Sequence, residues 1–255
     1  MPTIKYLSVS LKELINEPFS KVICYPRSSE GEIKRRIKEL QNLKINKIIF
    51  DGKTEINGLK VLGKGWVGIV IKVLISNKRY VIKIRRIDSN RISMNNEVKL
   101  HKTANFYNIG PQIYFYSKNF IVMEYIKGED ISKWISQIKD IDKKQIKNIL
   151  LNLLDQCFTM DINGLDHGEL SNMRRHVIIN NKANIIDFES ASTKRRTSNV
   201  TSVCQYLFVG NKNSSIIRKI LKIKSKNGII KVLKKYKNDK NRLNYMELLS
   251  ELNIL

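Results

Sequence analysis

The stretch Leu62-Gly63-Lys64-Gly65-Trp66-Val67-Gly68-Ile69-Val70 decides the fold. Its pattern, G-x-G-x-x-G-x-V, is shared by two unrelated ways of holding a phosphate, and the flanking sequence separates them. A dinucleotide-binding fingerprint opens a helix. Here the glycines lie between predicted strands at residues 59–62 and 67–74, and β-type sequence follows them. Glycines at such a turn let backbone N–H groups approach phosphate oxygens with no Cβ in the way. The bland alternative is a hairpin turn with three glycines, and the residues downstream weigh against it.

A third predicted strand, residues 79–84, carries Tyr80-Val81-Ile82-Lys83. Glu97 follows inside a helix predicted over residues 89–105, with Met94, Val98 and His101 on one side. Either charge alone is an ordinary surface group. At this spacing after a glycine loop the pair reads as a clamp, with Lys83 aimed at the α and β phosphates and Glu97 holding it. Predicted strands at residues 112–116 and 120–125 complete a five-stranded antiparallel sheet carrying one helix. Val122-Met123-Glu124-Tyr125-Ile126 then reads as a hinge whose main chain binds adenine. Met123 limits the depth of that pocket, and Val70 and Val81 line it.

From residue 58 to about 190 the chain resembles the protein-kinase superfamily. It is most similar to the reduced archaeal predicted serine/threonine kinases, relatives of the RIO kinases and of the small kinase in the KEOPS tRNA-modification complex. The second half of the resemblance is carried by Asp166-His167-Gly168-Glu169-Leu170, His176-Val177-Ile178-Ile179 and Ile186-Asp187-Phe188-Glu189. It implies ATP and Mg²⁺, with Mn²⁺ as a substitute, and makes Asp187 the metal ligand bridging the phosphates. His167 takes a structural role, tying the catalytic loop to the backbone of the metal motif.

The chain departs from the family pattern at several positions. Glu169 stands where the catalytic Asp is expected, one methylene longer, and Asp166 is the rival base. The second metal position, normally Asn, is filled by either His176 or Asn172, since Arg174 occupies the usual spacing. Gly168 replaces the Arg that in many kinases pairs with a phosphorylated loop, so activation by loop phosphorylation is not expected. Ser192, Thr193, Thr197, Ser198 and Thr201 around Lys194-Arg195-Arg196 are candidate autophosphorylation sites, or simply a hydroxyl-rich loop.

Outside these motifs the sequence is less specific. Residues 1–57 read as a small α/β appendage with strands at 21–25 and 45–50. Between them lies a helix capped by Ser28 or Ser29, with Ile33, Ile37 and Leu40 on one face. Residues 58–127 form the N-lobe and 128–255 a shortened, mainly helical C-lobe. Its clearest helix is predicted over residues 142–160, followed by a hairpin turning at Asn180-Asn181. The whole is an α+β, two-lobed, protein-kinase-like fold. The 255 residues carry 47 Lys and Arg against 23 Asp and Glu, a net +24, and 38 Ile within 42% apolar residues exclude a disordered chain. The last 65 residues hold 15 basic and three acidic side chains. That surface suits a nucleic acid or ribonucleoprotein, or reflects a Lys-biased proteome. No apolar run is long enough to span a membrane, and residues 1–19 do not read as a secretory signal. Cys24, Cys157 and Cys204 are scattered, as free thiols in a reducing compartment would be. The expectation is a cytoplasmic, ATP-dependent serine/threonine protein kinase acting on a protein hydroxyl, or a nucleotide-binding switch on a nucleic-acid partner.

Overall fold

The computed structural model describes residues 6–210 and 212–255. The chain divides into two compact units, residues 1–99 with 112–125 and residues 100–111 with 126–255.

The first unit is built on an antiparallel sheet of strands β1 (Leu7–Ser10), β2 (Lys47–Phe50), β5 (Gly63–Lys64), β6 (Gly68–Ile75), β7 (Lys78–Arg85), β8 (Ile113–Tyr116) and β9 (Phe120–Glu124). Their order is β1-β2-β6-β7-β9-β8, with β5 added to β6. Strands β3 (Thr54–Ile56) and β4 (Leu59–Val61) form a separate hairpin. Asn57 and Gly58 turn that hairpin, and Ser76 and Asn77 turn β6 into β7, all at positive φ. Such two-residue turns match the twist of the strands they join.

Strand β6 is GIVIKVLI and is buried along nearly its whole length, because both faces of the sheet are covered. On one face Ile69, Ile71, Val73, Ile82, Ile84, Phe120 and Val122 pack with Val22, Ile23, Leu40 and Ile48. On the other, Val81, Ile121 and Met123 pack with Val67, Met94 and Val98. The first covering layer comes from helices α1 (Phe19–Ile23) and α2 (Glu30–Asn42).

Residues 6–57, expected as an appendage, therefore share the sheet and the core of this unit. The strand expected at 21–25 is helix α1, whose Val22 and Ile23 are buried with no sheet neighbour to pair them. Ser29 sits at the start of α2, but its side chain makes no capping bond. Arg36 of α2 is fully buried and donates Nη1 to the carbonyls of Ile23 at 2.6 Å and Arg85 at 2.7 Å. The five-stranded sheet of the sequence reading is larger, and the strand expected at 59–62 is β4, which pairs with β3 outside that sheet. Helix α3 (Asn95–Phe106) begins six residues later than expected, after an irregular stretch at 86–94.

The second unit opens with β10 (Glu129–Asp130) and α4 (Ile131–Ser136), capped by the Asp130 carboxylate at 3.0–3.1 Å. Helix α5 (Lys143–Ile162), capped by Asp142, buries Ile146, Leu150, Leu153, Leu154, Cys157 and Phe158. Helix α6 (Met173–His176) leads into strands β11 (Val177–Ile179) and β12 (Ala183–Ile185), which pair with β10 in a small sheet. Helices α7 (Asn199–Cys204), α8 (Lys212–Leu221), α9 (Lys226–Asn238) and α10 (Arg242–Glu251) complete the unit. The basic tail packs through its apolar side. Tyr236 and Tyr245 are fully buried, and Tyr245 stacks on Phe158 at 4.2 Å, so these rings are withdrawn from any base-stacking role. All three cysteines are buried free thiols. Among the described residues no helix is long and apolar enough to cross a membrane.

Candidate functional site

In the first unit, alternation along the sheet sets the site. Val70 stands opposite Lys83, Lys83 opposite Ile121, and Val81 opposite Met123. Directly paired residues share a face, so Val70, Val81, Lys83 and Met123 lie on the side covered by the start of α3. Glu97, in the first turn of α3, accepts from Lys83 Nζ at 2.8 Å, and both side chains are about 95% buried. A buried pair of this kind is a weak source of stability but costs heavily to break.

The glycine stretch is the β5–β6 turn. Gly63 pairs with Val70, Lys64 with Ile69, and the Gly65 N–H donates to the Gly68 carbonyl at 2.8 Å. A Cβ at Gly68 would press on the Lys83 stem at 3.0–3.1 Å. At Gly63 a Cβ would meet nothing within 4 Å, and at Gly65 only the Gly68 carbonyl at 3.7 Å. Neither has a positive φ. The chain's own packing does not require glycine at those two positions, whereas close approach of a phosphate does. Trp66 at the tip is 85% exposed. Glu124 is the last residue of β9, its amide donating to the Gln112 carbonyl at 2.9 Å, and Tyr125 leaves the sheet beside it.

The second unit assembles the loop of residues 166–170. His167 is fully buried; its Nε2–H donates to the Ile186 carbonyl at 3.0 Å, and its Nδ1 faces the Glu169 N–H at 3.4 Å. Burial, helped by neighbouring His176, pushes its pKa down to about 4, so the ring is neutral at neutral pH. All three histidines of the chain join one cluster of rings around Phe188, in tilted and edge-on contacts. His101 lies 4.7 Å and His167 5.1 Å from Phe188, and His176 lies 5.4 Å from His167. Asp187 holds φ +68°, a left-handed backbone that non-glycine residues adopt at a cost and that clusters at functional sites.

The two carboxylates of the loop differ sharply. Asp166 is buried and accepts from Arg195 Nε at 2.7 Å and from Ser198 N and Oγ at 2.9 and 3.2 Å. Both its oxygens are engaged, which makes it an anchor. The Glu169 side chain is 40% exposed, with Oε2 3.9 Å from His176 Nε2. Asn172 is exposed, whereas His176 is buried with Nδ1 lacking a hydrogen-bond partner. Among the described residues no three His, Cys, Asp or Glu side chains converge as a ready-made metal cage. A carboxylate such as that of Asp187 is an oxygen donor of the kind hard cations take.

Gly168 shows why arginine is absent there. Its φ is +87°, and a Cβ would run into the Arg195 guanidinium and come within 2.7 Å of the Ser190 carbonyl. Arg195 thus fills the space above the loop and ties residues 190–198 to it without a phosphate.

Four features escaped the sequence reading. They are the bond from Arg195 to Asp166, the pair Lys72–Asp51, and the roles of Tyr25 and Arg86 beside the glycine loop. Lys72 interrupts an apolar strand, which was a usable signal. It lies on the face of Val70 and opposite Val81, with Nζ 2.5 Å from Asp51 Oδ2 and 5.0 Å from the Tyr125 ring. Burial, the largest influence, pulls its pKa down, but hydrogen bonds to Asp51 and Tyr125 outweigh it and hold the ammonium above its ordinary value.

A glycine hairpin, a buried Lys–Glu pair and a His-tethered loop before a strained Asp define a protein-kinase-like chain. Comparison with known sequences places it further: a model of the RIO domain matches residues 75–201. An uncharacterized protein of Methanocaldococcus jannaschii is 33% identical over 101 residues, covering 40% of this chain and 84% of that protein. The chain belongs to the RIO-domain family, which includes atypical kinases and whose domain uses a nucleotide and a metal in general. The matched span includes Lys83, Glu97, Glu169, His176 and Asp187, and begins after the glycine loop.

Proposed function

We propose that this chain is an ATP-dependent atypical serine/threonine protein kinase that also phosphorylates itself. The observation that carries the reading is the buried Lys83–Glu97 pair at 2.8 Å on the sheet face of Val70, Val81 and Met123. Lys83 would orient the α and β phosphates, the amides of residues 63–68 would cover them, and Val70 and Val81 would contact the base. Met123 would limit the base pocket, and the main chain at Glu124 and Tyr125 would hydrogen-bond adenine. Asp187, with His176 or Asn172, would hold Mg²⁺, which neutralises phosphate charge when bound. Glu169 would align a Ser or Thr hydroxyl of a protein substrate for in-line attack and accept its proton. Because phosphoryl transfer rests on positioning and charge neutralisation, a base one methylene longer slows the reaction without abolishing it.

A second reading is a nucleotide-driven switch on a nucleic-acid or ribonucleoprotein partner. The net charge of +24 and the exposed, altered base Glu169 favour it. Incubation with γ-labelled ATP and Mg²⁺ or Mn²⁺ separates the two. The kinase reading expects label on the wild type and none on Asp187→Ala or Glu169→Ala, with ATP binding kept in Glu169→Ala. Absence of label, with ATP still raising the melting temperature, would favour the switch.

A further inference from the structure

The N-terminal segment reaches the glycine loop through one aromatic ring. Tyr25 follows α1, and its carbonyl accepts from the Ile87 N–H at 2.9 Å, which fixes its backbone to the stretch just after β7. Lys64, inside the loop, donates Nζ to the Tyr25 hydroxyl at 2.6 Å and lies 4.5 Å from the ring centroid. The Arg86 guanidinium lies 5.2 Å from the same centroid. Arg86 also holds the loop directly: Nη1 donates to the Gly65 carbonyl at 2.9 Å, and its amide donates to the Val67 carbonyl at 2.8 Å. Asp88 fixes the guanidinium from the other end, at 2.9 Å to Nε and 2.6 Å to Nη2. Lys64, Gly65 and Val67 are therefore each tied down by groups outside the loop, and the exposed tip at Trp66 lies between the last two.

A turn rich in glycine loses more conformational freedom on ordering than any other sequence. A Cβ would meet nothing within 4 Å at Gly63 and only the Gly68 carbonyl at 3.7 Å at Gly65, so packing around these two residues does little to order them. Beyond the pairing with β6 and the Gly65 N–H bond to the Gly68 carbonyl, further order comes from the groups outside the loop that grip the turn. The Lys64 ammonium, committed to the Tyr25 ring and hydroxyl, serves as one of those grips.

We propose that Tyr25 is a positioning residue for the glycine loop: the Lys64–Tyr25–Arg86 stack holds residues 63–68 in their nucleotide-receiving conformation before any nucleotide arrives. This rests on the nucleotide reading of the loop. A loop ordered in advance spares the ligand that entropy, so the stack sets affinity for ATP and leaves the transfer step alone. It also gives residues 6–57 a task besides covering the sheet.

The test uses the full chain as wild type, Tyr25→Ala and Tyr25→Phe, with two readouts. Amide hydrogen exchange of residues 62–68 is measured without nucleotide, and Mg-ATP affinity by calorimetric titration. Tyr25→Ala is expected to speed exchange in the loop, to leave β6 and α2 unchanged, and to weaken ATP about tenfold. KM for ATP rises with kcat unchanged. Tyr25→Phe, which keeps the ring and loses the hydroxyl, shifts both readouts in the same direction by about two- to threefold and decides the matter if Tyr25→Ala does not fold. Wild-type loop exchange in the variants, or faster exchange with unchanged ATP affinity, would overturn the proposal. A wild type that binds no ATP removes the nucleotide reading instead. Exchange then decides alone: faster in Tyr25→Ala supports the stack, unchanged overturns it.

Discussion

Lys83 in the first unit and Asp166 in the second are both buried charges with an ion-pair partner, yet they are held in different ways. Lys83 is placed by strand register, with Val70 on one side and Ile121 on the other, and Glu97 reaches it from the adjoining helix. Asp166 is placed by Arg195 and Ser198, 29 and 32 residues further along the chain. The sheet sets its site by periodicity that repeats every two residues. The loop sets its own by individual hydrogen bonds across long sequence separations. The first kind of site tolerates change in its surroundings while register survives; the second depends on each partner.

The sharpest way to break this contrast is at the Lys–Glu pair. Lys83→Met breaks the buried Lys83–Glu97 pair from one side and should lower stability by about 3–5 kcal/mol. The double variant Lys83→Met with Glu97→Leu should recover most of that loss while still binding no ATP. Denaturant titration beside calorimetry checks both, and a double variant no more stable than the single would show that the pair does not act as a unit.

His167 tests the loop through pH. Its folded-state pKa of about 4 lies below the ordinary 6.5, so as pH falls the unfolded chain takes up the proton first. Its contribution is complete above pH 6.5 and is lost down to about pH 4, a change of about 3 kcal/mol. His167→Gln should flatten the dependence of the urea midpoint on pH across that window. Equal slopes in the two proteins would remove His167 as the cause.

The smallest effects separate anchor from base. Asp166→Ala gives up the three hydrogen bonds that its carboxylate accepts and should lose about 2 kcal/mol of stability. Glu169→Ala, at a side chain 40% exposed, should stay within about 0.5 kcal/mol of wild type while losing phosphate transfer. Melting curves for the two variants, read beside the labelling assay, show whether the roles are divided in this way.

Much of the first unit was legible because β-strands write their geometry into sequence. The strands carrying Val70, Val81 and Lys83 and the Glu97 spacing were all readable, and the sheet brings that lysine and glutamate together. The continuous apolar run of β6 also carried unread information. A strand buried on both faces needs two covering layers, and the helix carrying Glu97 supplies only one. The other had to come from residues 6–57. Helix α1 was misread because Val22, Ile23 and Cys24 make a short apolar run that suits a strand or a buried helix equally well.

The sequence by itself determined the class of the protein. Glycine spacing, the lysine and glutamate that follow it, and the Ile-Asp-Phe motif are local patterns, and local patterns survive in a linear text. Only the tertiary structure decided which carboxylate of the loop at residues 166–170 is an anchor, why Gly168 must lack a Cβ, and that Tyr25 and Arg86 grip the glycine loop. Those assignments depend on side chains meeting from distant parts of the chain, and no short-range periodicity encodes such a meeting.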